Sequence, residues 1–430
     1  SKFSVDNNIA AISIAGQDLS TFHNLYSSLI RNKITPILFN NIITGNSVSL
    51  VVKKTDLKRA LNVINVGIFG LSKKINIAIF GHGLVGSTLI DQVLSSAKNI
   101  EIKKGIKLNI FAIANSTKLV INEAGIKENW KTEIATNGEA YSVQDIIKYA
   151  KENHLENLIA VDNTASSSFV ENYVTLIESG FDVVSSNKIA NTLSYGFYKE
   201  IRQVLQDNQK NYLYETNVGA GLPLIDTIKL LHLSGENITK IKGVFSGTLS
   251  YIFNHFSVED KPFSVVLKEA IALGFTEPDP REDLCGNDVA RKLLILAREL
   301  DLQNEFNEID VQNLIPVELR PLTTSNFLEN LQLLDFHYKT IKENQEKGNV
   351  LRYIGELSGD LQQDKGNLEV KLVSVPESSA LGQLKGSDSI FEIYTESYGE
   401  RPIVIQGAGA GASVTTRGVF GDILRIIDKI

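Results

Sequence analysis

The strongest constraint on the fold is a repeated pattern of apolar strand, turn and helix that begins at Ile75. Short β-rich runs alternate with amphipathic segments, which is typical of parallel strands joined by crossover helices. We therefore predict a doubly wound α/β sheet from Ile75 to about Gly219. The predicted strands cover residues 75–80, 108–114, 157–163, 181–187 and 211–219, and the predicted helices cover 84–97, 143–152, 167–179 and 191–208.

Three glycines mark the turn after the first of these strands. Gly81, Gly83 and Gly86 form the pattern G-x-G-x-x-G between the strand and the helix. Gly81 permits a tight turn, Gly83 lets the backbone approach a pyrophosphate, and Gly86 lets the helix pack on the strand. The pattern predicts a dinucleotide site at the helix N-terminus that includes Leu84 and Val85. A glycine-rich turn in a flavodoxin-like sheet is the alternative.

The end of the second predicted strand indicates which cofactor is preferred. Ala114 is followed by Asn-Ser-Thr and then Lys118, so this stretch has no carboxylate. A carboxylate here would hold the ribose 2′-hydroxyl of NAD, whereas a lysine can pair with the 2′-phosphate of NADP. The sequence therefore favours NADP over NAD, with Ala114 and Lys118 beside the cofactor.

The composition is that of a globular chain with two or three domains. The chain has 430 residues, is 43% hydrophobic and carries a net charge of −7 without a basic stripe, which argues against nucleic acid or membrane lipid as a partner. It has no apolar run long enough to span a membrane and no secretory pattern. Because Cys285 is the only cysteine, we expect a cytoplasmic protein without internal disulfides. Methionine is absent even at residue 1, so we expect that residue 1 is not a native start.

A second concentration of polar chemistry lies between Phe275 and Leu300. Glu277 and Asp283 precede a long amphipathic helix, and Asp288 and Lys292 lie at its start. Asp288 and Lys292 are four residues apart, so they share one face of the helix and can reach a common ligand. An acidic helix start with an ordinary surface ion pair would give the same pattern.

Two further turns carry polar groups where strands of the predicted sheet end. Lys188 follows the strand 181–187, on the side of an open sheet where ligands bind. The run ETNVGAGLP, from Glu215 to Pro223, combines glycines with a carboxylate, and such oxygen donors suit a hard cation. A strand-to-helix turn with Pro223 at the helix start, without a bound cation, would explain this run equally well.

The N-terminal residues have a different predicted order of strands and helices from this central sheet. Residues 1–70 predict a βαββα order, with strands at 9–14, 35–39 and 47–52 and helices at 19–31 and 55–66. This order resembles an ACT module, a small amino-acid-binding regulatory domain, without its final strand. A small α+β appendage without a ligand is the alternative.

The region after Gly219 predicts an α+β arrangement. Helices are expected at 224–233, 264–273 and 289–300, and four late strands between Asn349 and Gly407 suit a mixed or antiparallel sheet. These strands alternate apolar and polar residues, and one helical layer covers only one face of a sheet. We therefore expect the other face to pair in a dimer of C2 symmetry.

Several motifs occur in an order that resembles homoserine dehydrogenase, from about Ile75 to Ile430. They are GHGLVG, VDNTASS, SSNKIANT, ETNVGAGLPLI, GVFSGTLSYIF, GFTEPDPREDLCGNDVARK and GAGAGASVTTRGV. With the ACT-like segment upstream, the chain is similar to the C-terminal part of a bifunctional aspartokinase/homoserine dehydrogenase without its kinase signature. The resemblance implies an incomplete regulatory segment at 1–70, an NAD(P)-binding domain at 75–219, a catalytic and dimerisation domain at 220–407, and a helix at 408–430 that returns to the nucleotide domain.

The resemblance also implies a reaction and a set of site residues. The reaction is the NADP- or NAD-dependent interconversion of L-homoserine and L-aspartate 4-semialdehyde. Lys292 is the implied proton donor and Lys188 its partner near the nicotinamide, while Glu277 and Asp288, with Asp283 nearby, bind the substrate. Further implied nucleotide contacts are Thr164, Lys188, Gly274 and Gly411, and an implied sodium or other monovalent cation lies at Glu215, Val218, Ala220 and Leu222.

The resemblance finally implies a homodimer or higher oligomer and threonine as a feedback effector. Because the ACT-like segment lacks a strand, we expect this chain to respond weakly or not at all to threonine. Two other function classes stay open. One is another Rossmann dehydrogenase, of the aspartate-semialdehyde or diaminopimelate type, and the first of these needs a cysteine nucleophile. The other is a non-catalytic regulatory subunit, against which the complete set of lysines and acids argues.

Overall fold

The computed structural model describes residues 6–15, 22–41, 47–69 and 72–429. The chain divides into two compact units. The first unit comprises Ser1–Asn187, Glu200–Tyr214 and Phe420–Ile430, and the second comprises Lys188–Lys199 and Glu215–Val419. Among the described residues, no helix has the length and hydrophobicity needed to cross a membrane.

The first unit begins with a small three-stranded layer. Its elements are β1 (Ile9–Ala15), α1 (Phe22–Arg31), β2 (Leu38–Asn41), β3 (Ser47–Lys53) and α2 (Leu57–Phe69). The strands are antiparallel in the order β1-β3-β2, and Leu29, Ile34 and Leu50 are fully buried in the core of the layer. The βαββα order agrees with the prediction, although the predicted helix 19–31 starts outside the described residues. The relationship to ACT modules stays a prediction.

The first unit also contains a doubly wound sheet, as the sequence predicted. Its elements are β4 (Lys73–Phe80), α3 (Leu84–Lys104), β5 (Ile106–Ala114), β6 (Leu119–Ile121), α4 (Trp130–Asn137), α5 (Val143–Glu152), β7 (Leu158–Asp162), α6 (Ser167–Val170), α7 (Tyr173–Glu178), β8 (Phe181–Ser185), the part of α8 (Tyr195–Asp207) from Glu200 onward, and β9 (Tyr212–Leu213). The strand order is β6-β5-β4-β7-β8-β9, and all neighbours are parallel except β5 and β6. The order reverses at β4, so the carboxyl ends of β4 and β7 flank the crevice where such sheets bind ligands.

Four predicted elements of this unit differ clearly in extent from the observed ones. The helix predicted at 84–97 runs on to Lys104, and the helix predicted at 191–208 begins at Tyr195. The predicted helix 167–179 is interrupted between α6 and α7, where the Asn172 side chain donates to the Phe169 carbonyl at 3.0 Å and so competes with the helical backbone. The predicted strand 211–219 shrinks to the two residues of β9. A short 3₁₀ turn from Glu215 to Asn217 follows it.

A buried polar junction joins the three-stranded layer to the amino ends of β7, β8 and β9. Arg31 at the end of α1 pairs with Asp182 at 3.2 Å, and Lys210 lies 3.5 Å from the same carboxylate. Burial lowers the pKa of Lys210 to about 8, against the opposing pull of Asp182. Beside this cluster, the Asn157 backbone N–H donates to the Asn32 side chain at 2.8 Å. The layer is therefore attached at the edge opposite the one where such sheets bind ligands.

The second unit contains a mixed sheet, as predicted. Its elements are α9 (Leu224–Leu233), β10 (Ile238–Val244), α10 (Gly247–Val258), α11 (Phe263–Ala272), α12 (Arg281–Leu284), α13 (Asn287–Glu299), β11 (Asp310–Val311), α14 (Thr324–Glu329), α15 (Asp335–Glu343), β12 (Asn349–Ser358), β13 (Asn367–Pro376), β14 (Asp388–Thr395), β15 (Ile403–Ala408) and the first part of α16 (Ala412–Lys429), whose residues from Phe420 belong to the first unit. The strand order is β11-β13-β12-β10-β14-β15, and neighbours are antiparallel except for β11 and β13. The central strand β10 was not predicted, because its alternating lysines resemble a surface segment.

The expectation that one face of the late strands is left uncovered is wrong for β12 and β14. Both strands are buried along their centres on both faces. On one face, the buried Arg352 guanidinium donates to the carbonyls of Leu381 and Gly382 at 2.9 and 2.8 Å, which holds the loop after β13 against the sheet. On the other face, a Cβ added at Gly355 would lie only 3.4 Å from the Val289 side chain of α13, so α13 packs against that face. The dimer stays a prediction that rests on the family resemblance.

The turn before α13 depends on a glycine. Gly286 has φ of +82°, and an added Cβ would overlap with the Tyr353 hydroxyl of β12. That hydroxyl donates to the Gln312 carbonyl at 2.7 Å, so it is held in place. Only glycine combines this backbone conformation with so close an approach.

We expect Gly286→Ala to destabilise the protein by about 3 kcal/mol, because left-handed strain and overpacking add together. The matched control is Gly235→Ala, since Gly235 has φ of +80° but open space around its Cβ position; it should cost only about 1–2 kcal/mol. Urea unfolding followed by circular dichroism measures both losses. Equal losses would contradict the proposed overlap with Tyr353.

Candidate active site

A pocket of about 910 Å³ in the second unit brings several predicted site residues together. Its walls come from the first residues of α10 and α13, the segment after α11 and the turn before α16. The predicted residues that line it are Lys188, Gly274, Glu277, Asp283, Asp288, Lys292 and Gly411.

One carboxylate between two ammonium groups forms the electrostatic centre of the pocket. Asp288 lies 2.6 Å from Nζ of Lys292 and 3.6 Å from Nζ of Lys188. Enclosure by itself raises the pKa of Asp288, but the charges of Lys292 and Lys188 outweigh it and hold the pKa well below its usual range. Lys292 also donates to the Phe245 carbonyl at 2.8 Å, and its side chain is only 12% exposed. Lys292 is therefore held in one place, between a fixed carboxylate and a carbonyl.

Two further acids, Glu277 and Asp283, line the same pocket. The Asp283 carboxylate accepts the backbone N–H of Glu277 at 2.8 Å. Burial raises the pKa of Asp283, and the hydrogen bond from Glu277 opposes that shift. Glu277 itself is exposed and lines the pocket. Asp283 therefore fixes the backbone from which the Glu277 carboxylate is presented.

The arrangement suits a small polar ligand with both charge signs. Two lysines can polarise or protonate an oxygen, and carboxylates can hold an ammonium group. The N-termini of α10 and α13 add partial positive charge to the same pocket. A reaction in which negative charge develops on a carbonyl oxygen would be stabilised here.

The glycine turn of the first unit has the geometry that its sequence suggested. Gly81 has φ of +83°, and its N–H donates to the Ala114 carbonyl at 2.8 Å. An added Cβ on Gly86 would overlap with the Gly81 carbonyl oxygen, whereas the space beside Gly83 is open. Gly86 thus serves packing and Gly83 leaves room for a ligand. Leu84, which begins α3, is exposed.

Lys118 lies in a tight turn just beyond the end of β5. The Asn115 side chain accepts the backbone N–H groups of Thr117 and Lys118 at 2.9 and 2.7 Å. The Lys118 ammonium donates to the Ala135 carbonyl of α4 at 2.7 Å. The predicted cofactor lysine is therefore anchored to α4 while it stands at the tip of the second strand of the doubly wound sheet.

Sequence reasoning missed Asp162, the last residue of β7. Its buried carboxylate accepts the Tyr173 hydroxyl at 2.7 Å, the Thr164 backbone N–H at 2.7 Å and the Asn187 side chain at 3.1 Å. Burial raises its pKa against these hydrogen bonds. Asp162 thus fixes the loop of Thr164 and the residue directly before Lys188. A carboxylate at a strand end, in VDN, was the available signal.

The predicted cation turn lies between β9 and α9. The two oxygens of the buried Glu215 carboxylate accept the backbone N–H groups of Ile225 and Asp226 at 2.8 and 3.0 Å, so Glu215 caps α9. Ala220 has φ of +52°, and Val218 is fully buried. Leu222 closes the turn, with its N–H donated to Gly219. Within the described residues, no group of three or more His, Cys, Asp or Glu side chains could hold a metal ion.

A doubly wound sheet with a dinucleotide turn, together with a lysine-carboxylate pocket, defines an NAD(P)-dependent oxidoreductase. The family profile described as the NAD-binding domain of homoserine dehydrogenase matches residues 81–215, and the homoserine dehydrogenase profile itself matches 223–424. The chain belongs to the homoserine dehydrogenase family.

Individual relatives agree with this assignment. The chain is 37% identical to a bifunctional aspartokinase/homoserine dehydrogenase of Buchnera aphidicola over 99% of this chain and 52% of that protein. It is 36% identical to a homoserine dehydrogenase of Emericella nidulans over 84% of this chain and 100% of that protein. A crystal structure of a Candida auris protein of unknown function has a TM-score of 0.75 at 34% identity, over 84% of this chain and 99% of that one. The chain spans about half the length of the bifunctional bacterial relative.

The two glycines of the nucleotide turn should respond differently to the same substitution. We expect Gly83→Ala to keep the stability of the protein but to raise KM for NADPH by about tenfold or more, because the methyl group occupies ligand space. Gly86→Ala should instead lower stability by about 1–3 kcal/mol through the overlap with Gly81. Thermal unfolding and steady-state kinetics on both variants test this, and the opposite assignment of effects would refute it.

Proposed function

We propose that this chain catalyses the NADPH-dependent interconversion of L-aspartate 4-semialdehyde and L-homoserine. The observation that carries the proposal is the Asp288 carboxylate between Lys292 and Lys188, in a pocket that also contains Glu277. Family membership supports it, because the match to the Emericella nidulans homoserine dehydrogenase covers the full length of that protein.

In the proposed reaction, each of these residues has a defined role. When bound, the nicotinamide cofactor supplies the hydride that reaches the aldehyde carbon. Lys292 donates a proton to the carbonyl oxygen, where negative charge develops, and accepts it back in the reverse direction. Asp288 is proposed, with Glu277, as a substrate-binding acid; it also holds the Lys292 ammonium in position, and Lys188 adds a second positive charge beside it. Glu277 binds the substrate ammonium group, with its backbone fixed by Asp283.

The competing function classes have less support. A cysteine nucleophile of the semialdehyde dehydrogenase type would need a reactive thiolate. Burial raises the pKa of the Cys285 thiol, and its Sγ donates to the Glu282 carbonyl at 3.2 Å. A non-catalytic regulatory subunit would have no need for the ion-paired Lys292, which is largely buried beside Asp288.

We further propose where the cofactor and a cation bind. The turn with Gly81, Gly83, Leu84, Val85 and Gly86 holds the pyrophosphate, and Ala114, Thr164, Lys188, Gly274 and Gly411 contact the rest of the cofactor. Lys118 pairs with the 2′-phosphate, which favours NADP. Glu215 and the backbone carbonyls of Val218, Ala220 and Leu222 hold a sodium ion, and the left-handed backbone at Ala220 supports a carbonyl-lined turn there.

Properties of the whole protein are proposed from its relatives. The chain forms part of a cytoplasmic bifunctional aspartokinase/homoserine dehydrogenase that assembles as a homodimer or a higher homo-oligomer. Threonine is the proposed effector. In the described three-stranded layer, β1 is an outer strand, and an outer strand offers unpaired backbone groups to a further strand. This supports the proposal that an effector site built here needs an additional segment.

The role of Lys292 is tested by Lys292→Ala. We expect kcat to fall by about 10²- to 10⁴-fold, because the general acid is lost, while NADPH binding measured by cofactor fluorescence stays nearly unchanged. The matched control is Lys339→Ala, which removes another lysine with a carboxylate partner four residues away, Glu343, on an exposed helix face. A near-normal kcat for Lys292→Ala would refute the assignment.

The role of Lys118 is tested by Lys118→Glu. We expect KM to rise far more for NADPH than for NADH, because attraction to the 2′-phosphate becomes repulsion. Lys148→Glu, on the exposed face of α5 beside Glu152, makes the same change of charge in the same unit as a control. Equal effects of Lys118→Glu on both cofactors would show that its ammonium does not reach the phosphate.

A further inference from the structure

A charged cluster lies just outside the candidate pocket, on the chain segment that carries Glu277. The segment continues from Glu277 through Pro278, Asp279 and Pro280 to Arg281, the first residue of α12. Neither Asp279 nor Arg281 lines the pocket. Sequence reasoning assigned no role to either residue, although both belong to the acidic run that marked the site.

All three nitrogens of the Arg281 guanidinium donate hydrogen bonds. Nε and Nη2 donate to the Asp279 carboxylate at 2.9 and 2.6 Å, and Nη2 also donates to the Thr324 hydroxyl at 3.1 Å. Nη1 donates to the carbonyls of Leu322 and Arg320. The five N–H groups of an arginine are thus matched by acceptors. Lysine cannot reproduce this fork, because its ammonium is a single point charge.

Asp279 is held as firmly as Arg281. Besides the guanidinium, its carboxylate accepts the Thr324 hydroxyl at 2.8 Å and the Arg281 backbone N–H at 3.0 Å. The hydrogen bonds from Arg281 in particular lower the pKa of Asp279 to about 2. The guanidinium also lies 5.3 Å from the ring centroid of Phe327, a buried residue of α14. The three side chains of Asp279, Arg281 and Thr324, called here the Arg281 clip, therefore tie the segment to α14.

The clip is well placed to set the position of Glu277. Only Pro278 separates Glu277 from Asp279, and a proline ring fixes its own φ and restricts the residue before it. On the other side, the Glu277 N–H is fixed by Asp283, and the preceding Phe275 carbonyl accepts the Thr248 hydroxyl at 2.5 Å. The backbone of Glu277 is thus held from both directions, and the clip is the anchor on the side that leads away from the pocket.

We propose that the Arg281 clip is a positioning device for the Glu277 carboxylate and thereby determines how tightly the amino-acid substrate binds. The proposal rests on the proposed function, in which Glu277 binds the substrate ammonium group. Asp279, Arg281 and Thr324 do not touch the reacting atoms; they act through Glu277. Their loss should affect substrate affinity and leave the proton donor Lys292 in place.

The first test compares Arg281→Lys with the wild type in homoserine oxidation. KM for homoserine should rise about tenfold, because a displaced carboxylate no longer meets the ammonium group. kcat and KM for NADP⁺ should stay within about twofold of the wild type. Thr324→Val removes one arm of the clip and should raise KM for homoserine about threefold, which provides a milder variant if Arg281→Lys folds poorly.

A matched control and a double-mutant cycle separate positioning from general damage. Arg59→Lys makes the same substitution in the three-stranded layer, where the Arg59 guanidinium pairs with Asp56 at 3.0 Å; it should leave all three constants unchanged. In a Glu277→Gln background, Arg281→Lys or Thr324→Val should add less than about twofold to KM for homoserine, because the two residues then act on one missing interaction.

A rise in KM for homoserine that disappears in the Glu277→Gln background supports the clip. Multiplicative effects of the two substitutions, or equal losses in kcat and in the affinity for NADP⁺, would overturn it while the proposed function stands. A wild-type chain that oxidises no homoserine with either cofactor would overturn the proposed function and, with it, the role of the clip.

Discussion

The charge balance around Asp288 is the interaction on which the candidate site depends. Two ammonium groups in a partly enclosed pocket would repel each other, and a carboxylate between Lys292 and Lys188 removes that repulsion. The balance requires α13 to begin at one place only, because Asp288 is its second residue. That place is set by the left-handed turn at Gly286 and by its contact with β12. The electrostatics of the site therefore depend on the backbone conformation at Gly286.

Features that are encoded locally could be predicted from the sequence. The turn with Gly81, Gly83 and Gly86 has a fixed relation to the strand before it and the helix after it, so together with the alternation of strands and helices it indicates the doubly wound sheet. The i,i+4 spacing of Asp288 and Lys292 likewise predicted that they share one face of a helix. The family profiles agree with the resemblance that these motifs suggested.

Features that depend on distant partners could not be predicted in this way. The alternation of the late strands suggested an uncovered face, but Arg352 reaches carbonyls about thirty residues away and covers it with a loop. Asp162 and Arg281 looked like ordinary polar residues of a strand end and an acidic run. Their roles follow from Tyr173, Asn187 and Thr324, whose proximity is a property of the folded chain.

The junction around Asp182 keeps two parts of the first unit apart. It joins the three-stranded layer to the amino ends of the strands, and in doubly wound sheets the carboxyl ends carry the ligand loops. The Gly81 turn lies at the carboxyl end of β4, where its N–H donates to the Ala114 carbonyl. Substitutions in the three-stranded layer can therefore change its own packing without altering the glycine turn.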